Sequence, residues 1–416
     1  MSIDTKTWKA FAAGHAPDFA RAVFLPGLVT DPGRFARLID DSLRTATRHA
    51  PGDLRLRAFR PGAFDYRLTK RFVDTPLSDA ESAVAWLART ADSEDECLAV
   101  NDIASWNLDL AAEAAGLVGE LVTDGSHELP SGTDVYTFVA HSGWTPFGIH
   151  KDSEPSLIFH LGPSPKEVWV WHDNPFDAAS ITPSPSFGRI TFDIEEHLGS
   201  AERHLLQPGD FLCIPQDTYH VFRNLGPSVF LGLTLYPVRT RSLITEALWR
   251  ATGPAEPLAP YPAAASVTER AQALLAGATP LPGDAATAAP TGSLADRVAH
   301  ELILGQLRLR TNGYVSRPHP AALPRAVPAP GTPLRWARSG ALAVAPRHGT
   351  GTSLVARGRT LTLPEAADFT ALEQATVSDT PFTLDELAAA LPADLTPERR
   401  EEIARSLYTV GAVIAP

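Results

Sequence analysis

His150 and Asp152 stand one residue apart in the stretch "WTPFGIHKDSEPSLIFHLG". In an extended strand residues i and i+2 point to the same face. The pair therefore offers one imidazole and one carboxylate side by side, with Lys151 facing away. Two such donors hold a metal poorly, so a third is expected from another strand. His220, in "LLQPGDFLCIPQDTYHVFRN", is the candidate. There Pro208-Gly209-Asp210 reads as a turn, "FLCIP" as a strand that Pro215 stops, and His220 as the opening of the next extended piece. Two imidazoles and one carboxylate on one face leave open positions on an octahedral ion. That is the donor set of the facial triad of non-haem Fe(II) oxygenases; the same set also suits Zn or Mn. Other histidines compete. His160 falls mid-strand and could face the same cavity, and His172, His197 and His204 read as structural or surface residues.

Lysine is scarce, five against thirty-one arginines. Lys166 opens "KEVWVW", where Lys166, Val168 and Val170 share one face and Glu167, Trp169 and Trp171 the other. An ammonium on the crowded inner face of a barrel costs several kcal/mol unless an acid meets it. The carboxylate of a bound ligand would be such a partner. Arg223 is the competing anchor. Thr145, Tyr136, Ser142 and Asn224 could add hydrogen bonds.

The elements that must position these groups lie in residues 134–237. "DVYTFVAH", "SLIFHLG", "EVWVWHD", "GRITFDI", "GDFLCIP" and "SVFLGLTLYP" are short β-rich runs punctuated by Gly, Pro, Ser and Asn, a spacing that predicts a sandwich or barrel. Upstream, Asp31 as N-cap and Pro32 at the first helical position predict a helix, "DLRLRAF" a half-buried strand, and "DAESAVAWLARTA" and "NLDLAAEAAGLVGELV" amphipathic helices. Downstream come the helical patterns "RSLITEALWRAT", "SVTERAQALLAG" and "SLADRVAHELILGQLRLR", with a Pro/Ala/Thr-rich loop at 277–292. A Pro-rich joint follows at 316–334. The last eighty residues predict a small separate domain. It has two strands joined at Gly358, a helix "PEAADFTALEQAT", a capping box from Thr383 to Glu386, and a final helix before a turn at Gly411. This order resembles a winged helix.

Composition bounds the rest. The chain has 416 residues and a net charge of −12, which argues against non-specific binding to nucleic acid. The final helix, "PERREEIARSLYTV", balances three Glu with three Arg. Residues 302–364 have nine Arg and no acid; a solvated linker is the simpler reading of that run, a docking surface the sharper one. No run is apolar enough to span a bilayer and no signal peptide is visible, so a cytoplasmic protein is expected. Cys97 and Cys213 suggest no disulfide framework.

"TPFGIHKD…FHLGPSPKEVWVW…PGDFLCIPQDTYHVF" resembles the JmjC/cupin-type Fe(II)- and 2-oxoglutarate-dependent hydroxylases, a group that includes the bacterial ribosomal oxygenases and factor inhibiting HIF. The resemblance is close over 134–237. It implies a mainly β fold, a double-stranded β-helix (jelly-roll/cupin) core with flanking helices. The expected organisation is 1–125 flanking elements, 126–240 barrel, 241–325 helical region for dimerisation, and 335–416 winged-helix-like α+β domain. It implies His150, Asp152 and His220 as metal ligands and Lys166, sixteen positions after His150, as the 2-oxoglutarate anchor. Fe(II), 2-oxoglutarate and O2 would be the cofactor and cosubstrates. A protein or peptide side chain would be hydroxylated by a homodimer. The alternatives are a hydroxylase of a free amino acid or other small molecule, a non-catalytic metal-binding cupin, and a zinc hydrolase or isomerase.

Overall fold

The computed structural model describes residues 2–15, 19–122, 130–176, 182–184, 188–190, 194–237, 240–252, 294–345, 351–378 and 380–415. The expected helix "SVTERAQALLAG" and the 277–292 loop lie outside the described residues. Contacts group the chain into two units, one of 1–237 with 313–323, the other of 238–312 with 324–416.

The first unit contains the strands β1 (Val23–Leu25), β2 (Leu56–Arg60), β3 (Ala63–Phe64), β4 (Cys97–Val100), β5 (Gly132–Ala140), β6 (Gly143–Trp144), β7 (Ser156–Pro163) and β8 (Lys166–Trp171). It continues with β9 (Thr182–Ser184), β10 (Gly188–Ile190), β11 (Glu202–Leu206), β12 (Phe211–Ile214), β13 (Tyr219–Asn224) and β14 (Ser228–Tyr236). Two sheets make the core. One runs β1-β12-β7-β14-β5-β4-β2-β3, the other β11-β8-β13-β6, and every pair in them is antiparallel. This is a jelly-roll arrangement. The upstream strands β2 and β4 extend the first sheet from its β5 edge, so the "flanking" segment is hydrogen-bonded to the barrel.

Strand parity fills the interior. Phe138, Ile158, Val168, Val170, Leu212, Ile214, Phe222 and Phe230 form one buried cluster between the sheets. The opposite face of the smaller sheet, with Trp169, Trp171, Ile149 and Val221, forms a second. The alternation expected for "KEVWVW" is thus the alternation found. Helices cover the outer face of the larger sheet. Helix Pro32–His49 starts with the Asp31 carboxylate accepting from Arg34 N and buries Phe35, Ile39, Leu43 and Ala46. Helix Thr5–His15 brings Trp8 and Phe11 against Phe211, with Trp8 also against Phe159.

In the second unit, helices Thr240–Thr252 and Leu294–Thr311 pack together. A three-stranded sheet and a two-stranded one follow: β16 (Leu342–Ala345), β17 (Thr352–Ala356) and β18 (Arg359–Leu363) in one, and β15 (Arg335–Trp336) with β19 (Val413–Ile414) in the other. Three short helices lie between β18 and β19: Thr370–Ala375, Leu384–Ala389 and Pro397–Thr409. The Thr383–Glu386 capping box forms in both directions. Among the described residues no helix is long and apolar enough to cross a membrane.

Candidate metal centre and cavity

The site begins with a single pair of ladder bonds. His150 N donates to His220 O at 3.1 Å and His220 N donates to His150 O at 2.8 Å. Residues seventy positions apart are thereby locked face to face, beyond the stretch where β13 pairs with β6. Their ring centroids lie 4.4 Å apart. Two residues on from His150, Asp152 is held in place by its carbonyl, which accepts from Asp217 N at 2.7 Å. The Asp152 carboxylate oxygens lie 3.9 Å from His150 Nε2 and 3.7 Å from His220 Nε2. Donor atoms of all three residues fall within 4.8 Å of one another.

Both imidazoles are set in the tautomer a metal needs. His150 Nδ1 lies 3.0 Å from Gly148 O, and His220 Nδ1 lies 2.9 Å from Thr218 O. A carbonyl only accepts, so each Nδ1 carries a proton, and Nε2 is the ring nitrogen turned toward Asp152. Burial, and then the neighbouring His150, lower the His220 imidazole to about 4, so it is neutral at ordinary pH. Loss of solvent acts to raise the Asp152 carboxyl. The two imidazoles and the Ser156 hydroxyl, which donates to it at 3.1 Å, outweigh that and hold it below the usual value. Two imidazoles and one carboxylate are a donor set that fits a divalent first-row ion.

The three residues line a cavity of about 360 Å³. Its apolar wall is Phe138, Phe147, Ile158, Phe222 and Phe230; its polar wall includes Arg57, Asn101, Asp134, Thr234 and Tyr236. Tyr136 and Thr145 line it, and the Thr145 hydroxyl is buried with no hydrogen-bond partner among the described residues. Tyr136 lies across Gly232 on β14; a Cβ there would sit 2.2 Å from the ring. Burial, then the Asp152 charge, push the Tyr136 phenol well above its ordinary value.

Lys166 is fully buried, and among the described residues its ammonium has no hydrogen-bond or ion-pair partner. It sits 4.5 Å from the Phe230 ring centroid and 5.8 Å from that of Phe222, two residues of the cavity's apolar wall. Burial lowers it to about 7. The rival Arg223 is exposed and lies over Trp144. Asn224 is not on the cavity wall, and its amide donates to Gly143 O and accepts from Ser228 Oγ. Ser142 donates to Glu94 O. His160 lies inside the barrel, fully buried, with Nε2 donating to Ser164 O at 2.8 Å. Of the remaining histidines, His172 meets Glu202, His197 packs on Phe176 and His204 on Phe24.

Sequence reasoning missed Ser156 and the polar wall. Arg57 donates to Asn101 Oδ1 at 2.9 Å; Asn101 and Asp102 N both donate to the Asp134 carboxylate, which burial raises. Strand parity with Tyr136 could have flagged Asp134, but Arg57, on β2, and Asn101, just after β4, come from segments assigned to the flanks.

No protein-family model matches this chain and no curated protein sequence matches it. Solved structures do. An X-ray structure of E. coli ycfD aligns over 100% of both chains at 17% identity with a TM-score of 0.52. A crystal structure of the Escherichia coli ribosomal oxygenase YcfD aligns over 100% of both at 16% identity with a TM-score of 0.50. The chain shares their fold. At such identity the likeness is one of architecture, and the chemistry must be argued from the site.

Proposed function

We propose that this protein is an Fe(II)- and 2-oxoglutarate-dependent oxygenase that hydroxylates an unactivated C–H bond of a protein or peptide side chain. The observation that carries the reading is the convergence of two tautomer-fixed imidazoles and one carboxylate at a cavity, backed by one buried ammonium that lacks an anion. His150, Asp152 and His220 hold the metal through Nε2, a carboxylate oxygen and Nε2. Lys166 would receive the distal carboxylate of 2-oxoglutarate, and the Thr145 hydroxyl on the cavity wall would be available to donate to the cosubstrate. When bound, the metal and 2-oxoglutarate couple O2 reduction to hydroxylation: R–H, O2 and 2-oxoglutarate become R–OH, succinate and CO2. Ser156 orients Asp152, Tyr136 meets the Ser156 hydroxyl, and both border the substrate space. The aromatic wall keeps water from the cosubstrate, which strengthens the ion pair to Lys166.

The fold shared with a ribosomal oxygenase supports a macromolecular substrate, as does a second unit that a small-molecule hydroxylase would not need. We assign that unit's helices to homodimerisation, because Ile244, Leu248, Trp249 and Ile303 are exposed apolar residues on them. The strands and short helices after them form the winged-helix-like part. The test is succinate release: protein supplied with Fe(II) and 2-oxoglutarate should form succinate slowly without substrate, and Asp152→Ala should not. Equal succinate from both proteins refutes the assignment.

A further inference from the structure

The hairpin β17–β18 turns through Arg357 and Gly358, with Ala356 paired to Arg359. Both turn residues have positive φ, 46° and 75°. A two-residue turn of this kind is built from Asn, Asp or Gly, because a larger L-residue there is strained. Arginine is a costly choice at such a position, and an outlier of this type points to a role for the side chain.

The side chain does not reach water. Arg357 is fully buried, and among the described residues Nε, Nη1 and Nη2 all lack a hydrogen-bond partner. The surroundings are already committed. Arg357 N donates to Ala341 O, and Gly358 N donates to the buried Thr311 hydroxyl. The carbonyls of Arg310, Thr311 and Gly340 accept from Arg338, a second guanidinium that burdens the first with like charge. Glu373 is engaged by Arg310 and by Val344 N. No acid is nearby in sequence either, since residues 302–364 contain none. A guanidinium is a rigid fork of donors that matches two oxygens on one centre. Burying it unpaired is among the most unfavourable arrangements a fold can hold.

We propose that Arg357 is the buried anchor of a small-oxyanion site in the second unit, one that takes inorganic phosphate or a short carboxylate. The fork binds two oxygens of the anion, and Arg338 adds a second positive charge. This site is separate from the metal centre and does not depend on the oxygenase reading.

The test is thermal unfolding of the full chain in a cationic buffer, with added inorganic phosphate, acetate, or chloride at matched ionic strength. Wild type should gain a few degrees in Tm, saturably, with phosphate, acetate or both, and not with chloride. Which of the two oxyanions acts identifies the source. Arg357→Met should lose the response. Arg357→Asn, with a residue suited to the turn, should fold and also lose it. No saturable rise in wild type, an equal rise with chloride, or a rise retained in either folded variant overturns the proposal.

Discussion

Replacing Lys166 with Met makes a sharp prediction, because the substitution should help folding while it harms binding. Without cosubstrate the ammonium is buried and unpaired, and its fall from 10.5 to about 7 corresponds to about 5 kcal/mol. The contact with the Phe230 face at 4.5 Å offsets about 2 kcal/mol of that. A net cost of about 3 kcal/mol remains for the charged form, and Met, of similar length and apolar, removes it. The sign follows from proton uptake. Between pH 7 and 10.5 the unfolded chain binds the proton that the folded chain releases, so this penalty is fully present below pH 7 and vanishes as pH rises through 10.5. Denaturant unfolding of the metal-free, cosubstrate-free protein should therefore show Lys166→Met more stable than wild type at pH 6, with the advantage shrinking toward pH 10. The same variant should bind 2-oxoglutarate at least about 100-fold more weakly, the value of one buried charge-assisted pair at about 3 kcal/mol. Calorimetry should also show wild type taking up a proton on binding at pH 8, and the variant none. If Lys166→Met is less stable than wild type at both pH values, the ammonium has a partner in the free protein and this reasoning is wrong.

Two more outcomes follow from the barrel interior. Gly232→Ala places a methyl 2.2 Å from the Tyr136 ring, so it should cost about 1–3 kcal/mol in overpacking and displace the phenol from the Ser156 hydroxyl to which it is hydrogen-bonded; an unchanged denaturation midpoint would refute the close approach of Gly232 and Tyr136. The metal-free protein should lose stability as pH falls below about 6.5, because His220 and His160 stay neutral when folded, down to about 4 and about 3, while the unfolded chain protonates them. The double variant His160→Leu, His220→Leu should flatten that acid limb in a pH series of unfolding curves.

Much of this was legible in the residues alone. The alternation in "KEVWVW" separates an inner Lys166, Val168 and Val170 from an outer Trp169 and Trp171, and the two faces sit in different clusters. Asp31, Pro32 and the Thr383–Glu386 pair set helix starts where side chain and backbone are three residues apart. His-x-Asp places two donors together for the same local reason. Such readings succeed because the interaction they rest on is short in sequence, so the chain's own geometry decides it.

Other features were decided only by tertiary pairing. His220 could have fallen on any strand; the ladder register with His150 put it opposite. Lys166, from strand parity, and Asn224, as a hydrogen-bonding side chain, were both ligand candidates, yet burial isolated the first and neighbouring hydrogen bonds consumed the second. The wall of Arg57, Asn101 and Asp134 joins strands β2 and β5 with the loop after β4, and a basic run with no acids hid an arginine, Arg357, folded out of reach of water. Sequence spacing determines which side chains share a face. Which faces meet, and which charges are left without water or partner, depends on long-range packing and the desolvation it imposes.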